Sequence, residues 1–120
     1  MQHTVEEVTL SNGTSGLLID VPGSKVVSLQ LYFNSGFLLA DPAKYEMPHI
    51  TEHLLIAGNE DYPDSMEYKR QLELNGAVFN ASTNIDYNCY YWQCASFEVE
   101  RILGLASAQI GRPLIRARRM

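Results

Sequence analysis

The apolar positions of this chain follow a strand-like pattern first and a helical pattern later. Residues 5–10 and 16–21 are predicted to be two short strands, and turn-forming residues follow each of them. Residues 27–33 alternate between apolar and polar side chains, which is the period of a half-buried strand. We expect these three segments to be neighbouring antiparallel strands of a meander.

The spacing becomes helical near residue 47. Pro48 suits the first turn of a helix, where its missing N–H leaves no hydrogen bond unmade, and Gly58 suits the position after its end. This helix is apolar around much of its circumference, so we expect it to be buried against the sheet. A second helix is predicted to begin at Asp64 or Ser65 and to run to about Asn75.

Two more strands and a third helix complete the pattern. Residues 77–96 are rich in β-branched and aromatic side chains and contain a turn near residues 84–86. The third helix starts near Ser96, and its predicted apolar stripe consists of Val99, Ile102, Leu103, Ala106 and Ile110. The order β-β-β-α-α-β-β-α predicts an α+β fold, in which helices cover one face of a largely antiparallel sheet.

Composition and charge narrow the class of protein. With 120 residues, 46% of them hydrophobic and 19% charged, the chain is expected to form one globular domain. Residues 1–111 contain five basic and fourteen acidic side chains, which disfavours non-specific binding to nucleic acid. There is no run of 18 apolar residues and no signal-peptide pattern. We therefore expect no membrane insertion and a cytoplasmic location, unless a targeting segment is missing.

Cys89 and Cys94 are the only cysteines of the chain. They lie five positions apart on a predicted strand, so their side chains should point to opposite faces. Their spacing fits none of the usual zinc motifs. We expect two buried thiols and no disulfide between them.

The segment His49-Ile50-Thr51-Glu52-His53 carries the strongest chemical signal. Positions i and i+4 of a helix share a face, so His49 and His53 can direct two imidazoles at one metal ion. Glu52 lies beside that face and can reach a water molecule on the ion, as a general base must. The order H-x-x-E-H is the inverzincin signature. The alternative is a metal-free core helix with two hydrogen-bonded histidines in an unrelated fold.

Further motifs accompany this signature in a characteristic order. They are Ser11-Asn12-Gly13, the strand 29–33 with Ser35-Gly36, Gly58, Tyr62-Pro63, Leu74-Asn75-Gly76-Ala77, Asn80-Ala81-Ser82-Thr83, Tyr90-Tyr91 and Arg112-Pro113-Leu114-Ile115. Together with H-I-T-E-H they resemble the N-terminal part of the pitrilysin/insulinase family of zinc metallopeptidases. The domain prediction that follows is a partial metallopeptidase half-domain at residues 1–115, with a basic tail at residues 116–120 outside the resemblance.

The resemblance implies a peptidase that encloses extended peptides and cleaves them with zinc-activated water. In that case His49 and His53 would be metal ligands, and Glu52 would be the general base. The segment Asn80-Ala81-Ser82-Thr83 resembles the sheet edge on which the family's substrates pair as an extra strand. Backbone pairing of that kind gives little sequence preference. Without the family, the same four residues are simply a strand that runs into a turn.

The resemblance is incomplete in three places, the least important being Asn59, which stands where the family usually has Thr after Gly58. Glu46-Met47-Pro48 stands where the family commonly has a small Gly-x-Ala run. The family's third ligand is a glutamate about 75 residues after the second histidine, completing a three-ligand set, whereas 67 residues follow His53 here. Glu98 and Glu100 are poor substitutes, because they fall in the first turn of the third helix.

Two functions therefore stay open. One is an N-terminal fragment of a zinc metalloendopeptidase, which alone would bind Zn²⁺ weakly or not at all and would be inactive or nearly so. The other is a non-catalytic interaction module or an inactive subunit of the same family. A partial half-domain leaves sheet edges and apolar surface uncovered, so we also expect self-association or pairing with a second peptidase half.

Overall fold

The computed structural model describes residues 2–39, 41–44 and 46–114, so the basic tail predicted at residues 116–120 lies outside the described residues. Within the described ranges, five strands and three α-helices follow in the predicted order. The strands are β1 (Thr4–Thr9), β2 (Ser15–Asp20), β3 (Val26–Phe33), β4 (Val78–Thr83) and β5 (Asn88–Ala95). The helices are α1 (Met47–Leu55), α2 (Ser65–Glu73) and α3 (Val99–Gly111), and short 3₁₀ turns lie at Phe37–Leu39, Pro42–Lys44 and Ser96–Glu98.

The strands form two antiparallel sheets. β1 and β2 make a two-stranded hairpin, whereas the second sheet has the order β3-β5-β4. The predicted meander is therefore wrong where it pairs β2 with β3. β5 is the better partner for β3, because its Tyr90 and Trp92 lie directly opposite Leu31 and Leu29. This pairing places apolar side chains side by side on one face of the sheet.

The three-stranded sheet is covered by helices on one face, which confirms the α+β prediction. Tyr90, Trp92 and Cys94 of β5 share this face and are each at most 6% exposed. Helices α2 and α3 add Tyr68, Leu72, Ile102, Leu105 and Ala106 to the same core. The opposite face carries exposed polar residues such as Gln30 and Asn80. Both cysteines are buried and free, as predicted.

Helix α1 is less buried than predicted. Of its residues, Pro48 and Leu54 are buried, while Met47 is 46% and Ile50 is 40% exposed. The helix contacts β4 and the start of β5, and the side chain of Asn88 donates a 3.1 Å hydrogen bond to the carbonyl of Pro48. Only the side of α1 that meets these strand ends is covered, so the histidine side stays open.

Helix α2 begins as predicted, with the Asp64 side chain accepting a 2.9 Å hydrogen bond from the Met66 N–H. The stripe predicted for α3 is wrong at Leu103, which is 46% exposed. The side of α3 that faces the core instead carries Ile102, Leu105, Ala106 and Gln109. Gln109 is tolerated there because its Oε1 accepts a 2.6 Å hydrogen bond from the Tyr68 hydroxyl.

The β1–β2 hairpin is mostly uncovered. All six residues of β2 are exposed, including Leu17, Leu18 and Ile19, which are between 56% and 63% exposed. Val5 of β1 is opposite Ile19 in the register and is 55% exposed. Apolar side chains therefore face solvent on both sides of this hairpin. In the part of the chain that the structure describes, no helix is both long and apolar enough to span a bilayer.

Candidate metal centre

The two histidines of α1 meet through their outer ring nitrogens. His49 Nε2 and His53 Nε2 are 2.9 Å apart, and the ring centroids are separated by 4.6 Å. Zinc–nitrogen bonds measure about 2.0–2.1 Å, so two imidazoles on one tetrahedral zinc ion have nitrogens roughly 3.3 Å apart. A spread of a few tenths of an ångström would admit the ion. These two residues therefore fit the metal that the H-x-x-E-H pattern predicts.

The donor set around the two histidines is incomplete. Among residues 2–39, 41–44 and 46–114, no group of three His, Cys, Asp or Glu side chains is arranged to hold a metal ion. Glu98 is buried and accepts hydrogen bonds from Asn75 and Arg101, so it is part of an internal network between α2 and α3. That engagement agrees with the prediction that Glu98 is a poor substitute for a third ligand.

Glu52 lies next to the end of β4. Its Oε2 accepts a hydrogen bond from the Thr83 hydroxyl, across 31 positions of sequence. The structure thus joins the predicted base to one of the four residues predicted to bind substrate. Nearby, burial raises the pKa of the Tyr90 hydroxyl, and the negative charge of Glu52 raises it further. Both effects favour the neutral form of the Tyr90 hydroxyl.

The predicted substrate strand lies at a sheet edge. β4 pairs with β5 on one side, and β4 is the last strand of the order β3-β5-β4. Alternation along β4 points Ala81 and Thr83 toward the helices and Asn80 and Ser82 toward solvent. Binding of a peptide at these four residues stays a prediction.

Asn80 occupies part of this edge with its own side chain. Its Oδ1 accepts a 2.9 Å hydrogen bond from the Ala81 backbone N–H, and its Nδ2 donates a 3.2 Å hydrogen bond to the Tyr91 hydroxyl. The Asn80 amide therefore bridges the backbone of β4 and the Tyr91 side chain of β5.

Two further residues position the site and were missed in the sequence. Asn88 is 3% exposed, and its hydrogen bond to the Pro48 carbonyl fixes the first turn of α1 against β5. Glu46 lies 3.2 Å from His49 Nδ1 through its Oε2. The contact of Glu46 follows from i, i+3 spacing and could have been found, whereas the contact of Asn88 depends on tertiary packing.

Comparison with known proteins identifies the family. The family model described as insulinase, peptidase family M16, matches residues 17–118. This chain belongs to the insulinase family of peptidases. That membership confirms the resemblance found in the sequence, and it excludes an unrelated fold.

Individual relatives are similar over most of this chain but are much longer. A Caenorhabditis elegans protein named as a zinc protease is 35% identical over 100 residues, which is 79% of this chain and 11% of the relative. The insulin-degrading enzyme homolog of Dictyostelium discoideum is 29% identical over 109 residues, which is 90% of this chain and 11% of the relative. The chain thus spans about a tenth of their length. The names given to such relatives point to zinc at the level of the family.

Solved structures show the same fold. A protease from Helicobacter pylori aligns with a TM-score of 0.86 and 22% identity, over 98% of this chain and 28% of that structure. Pitrilysin aligns with a TM-score of 0.83 and 23% identity, over 98% of this chain and 13% of its own. The described elements therefore form a pitrilysin-like α+β unit.

Proposed function

We propose that this chain is the zinc-binding N-terminal part of a metalloendopeptidase domain, with His49 and His53 as ligands and Glu52 as general base. The observation that carries this proposal is the 2.9 Å approach of the two Nε2 atoms on the helix that also presents Glu52. A zinc ion at that position would lower the pKa of a water molecule and polarise a peptide carbonyl. Membership of the insulinase family of peptidases supports the same conclusion.

Glu52 moves the proton in this scheme. Its carboxylate would accept a proton as water attacks the peptide carbonyl, and it would then deliver that proton to the leaving amine. The Thr83 hydroxyl donates to Oε2 of Glu52, which leaves Oε1 to take the proton. Thr83 thereby fixes the direction in which the base points.

The peptide substrate would add to the free edge of β4 along Asn80, Ala81, Ser82 and Thr83. In this arrangement a substrate carbonyl replaces Asn80 Oδ1 as the acceptor of the Ala81 N–H. Because Thr83 ends the same strand and contacts Glu52, a peptide bond held at this end lies within reach of the base. Backbone pairing supplies most of the recognition, so a broad range of extended peptides would fit.

We also propose that the chain alone turns peptides over slowly or not at all. Two imidazoles hold zinc weakly, and the described residues offer no third His, Cys, Asp or Glu beside them. The histidines are also open to solvent on one side, which favours exchange of a weakly held ion.

Zinc titration combined with a fluorogenic peptide assay tests the proposal. We expect weak zinc binding that is lost in His53→Ala and kept in Glu52→Gln, with peptide cleavage near background in all three proteins. A wild-type chain that binds no zinc would overturn the metal site. Zinc-dependent cleavage that disappears in Glu52→Gln would keep the site and overturn the proposed inactivity.

A second candidate function is a non-catalytic interaction module that associates with another copy of this chain. The observation that favours it is the exposed apolar patch on one face of the hairpin, formed by Val5, Leu17 and Ile19. Patches of this kind commonly mark protein–protein contacts. β1 and β2 also pair only with each other among the described strands, so their outer edges are available for strand addition.

Sedimentation or light scattering of matched variants tests this second function. Ile19→Glu places a charge in the patch and should shift the chain from oligomer toward monomer. Gln30→Glu is the control, because it adds the same charge on the exposed polar face of the other sheet. A monomeric wild-type protein, or equal association of both variants, would remove the hairpin as the contact surface.

A further inference from the structure

We infer that Glu46 is a positioning residue, which holds His49 in the tautomer that leaves Nε2 open to a metal ion. The inference rests on the proposed metal site but concerns a residue outside the H-x-x-E-H pattern. Glu46 comes three positions before His49, and its Oε2 lies 3.2 Å from His49 Nδ1. Both side chains are about half exposed, at 47% and 45%.

The carboxylate of Glu46 contacts His49, although it could instead cap the N-terminus of α1. Glu46 is the N-cap residue of α1, where a side-chain oxygen commonly accepts a hydrogen bond from an N–H of the first turn. The Glu46 side chain makes no such bond in the described helix, and only its backbone carbonyl joins the ladder, through a 2.9 Å bond from the Ile50 N–H. The side chain is thus free to approach the His49 ring.

The geometry determines what Glu46 can do. A carboxylate accepts hydrogen bonds and cannot donate them, so the proton between it and His49 lies on Nδ1. In the neutral imidazole, the Nε2 lone pair is then available. With the proton on Nδ1, the Nε2 atom of His49 is free to accept a hydrogen bond from His53 Nε2, which lies 2.9 Å away. Because Glu46 contacts the opposite nitrogen, it is not itself a ligand.

The first turn of α1 is held firmly enough for this contact to matter. Pro48 lies between Glu46 and His49, is buried, and receives the hydrogen bond from Asn88 through its carbonyl. An exposed polar contact of this kind adds little to folding stability. The value of the contact therefore lies in the orientation of the ring, as it does for carboxylates that hydrogen-bond to metal-ligating histidines.

Zinc affinity of three variants tests the inference, measured by competition with a chromophoric chelator. Glu46→Ala should weaken zinc binding by about 10–100-fold. Glu46→Gln retains an oxygen that accepts from Nδ1 and should bind zinc more tightly than Glu46→Ala. Glu73→Ala is the matched control, because it removes the same charge from an exposed position on α2 and should leave the affinity unchanged. Equal affinities for Glu46→Ala and Glu73→Ala would overturn the inference.

The tautomer of His49 in the metal-free chain gives a second, independent measurement. Nitrogen-15 NMR should show His49 protonated at Nδ1 in the wild type and in Glu46→Gln, and a mixture of tautomers in Glu46→Ala. An unchanged tautomer in Glu46→Ala would overturn the role of Glu46. If the wild type bound no zinc, the proposed metal site would fail, and the NMR comparison would still decide whether Glu46 sets the tautomer.

Discussion

The two sheets of this chain share antiparallel pairing but differ in what covers them. The β3-β5-β4 sheet buries one face under α2 and α3, whereas the β1–β2 hairpin is exposed on both faces. Their sequences differ accordingly. β3 and β4 alternate between half-buried and exposed residues, while β2 contains the continuous run Leu17-Leu18-Ile19. Continuous apolar runs are typical of strands covered on both faces. The same antiparallel pairing thus gives a covered sheet in one region and an exposed hairpin in the other, and the proposed contact with another copy rests on this exposed run.

The largest loss of stability should come from shortening a core side chain of α3, the helix that packs on the β3-β5-β4 sheet. Leu105 of α3 is 7% exposed and belongs to the core, so Leu105→Ala should lower the free energy of unfolding by about 2–5 kcal/mol. Urea unfolding followed by circular dichroism measures this change. A loss below about 1 kcal/mol would show that the helix–sheet core is less tightly packed than described.

An intermediate effect should follow from Tyr68→Phe. The Tyr68 hydroxyl meets the Leu105 carbonyl at 3.0 Å and Gln109 Oε1 at 2.6 Å, so its removal leaves buried acceptors without this donor. We expect a loss of about 1–3 kcal/mol in the same unfolding experiment. Since Phe retains the ring, a much larger loss would point to disturbed packing rather than to the lost hydroxyl.

The pH dependence of the free energy of unfolding gives a second test of the role of Tyr68. Burial raises its pKa above the ordinary value of 10.0. Above about pH 10 the unfolded chain loses this proton while the folded chain keeps it, so wild-type stability should fall as pH rises. The fall should be smaller in Tyr68→Phe, and it should not vanish, because burial also raises the pKa of Tyr90 and Cys94. Identical slopes in both proteins would contradict the assignment.

The smallest effect is expected in the hairpin. Leu17 is 63% exposed, so Leu17→Ala should change the free energy of unfolding by no more than about 0.5 kcal/mol in dilute protein. The substitution matches Leu105→Ala atom for atom, which makes the two values directly comparable. A Leu17→Ala loss as large as that of Leu105→Ala would mean that the hairpin is covered in solution, and the loss should then depend on protein concentration.

Features that depend on local sequence could be predicted. The Asp64 cap and the turn of residues 84–86 follow from neighbouring residues, as does Gly76, which has a φ of +82° after α2. The approach of His49 to His53 follows from the helical repeat. These features involve residues that are close together in sequence, so their geometry depends little on the rest of the fold.

Features that depend on tertiary packing were predicted poorly. The prediction that β2 pairs with β3 was wrong because β5, which is far away in sequence, offers β3 a better match of apolar faces. The burial of α1 was overestimated, because an apolar circumference does not reveal how few residues a neighbouring sheet will cover. At the candidate site, the Glu52–Thr83 contact was within reach only through the family resemblance, which placed both residues near a substrate.

The hydrogen bond from Asn88 to the Pro48 carbonyl would link folding of the sheet to the proposed metal binding. It joins the helix that carries the histidines to a strand 40 positions away, whose side chains fill the core. An ion that binds only the ordered helix would add RT ln(1 + [L]/Kd) to the stability of the whole sheet. Conversely, a change that loosens β5 near Asn88 would weaken the affinity of the two histidines for the ion, although Asn88 does not contact them. The melting temperature of the core should therefore also depend on how firmly α1 is attached to β5.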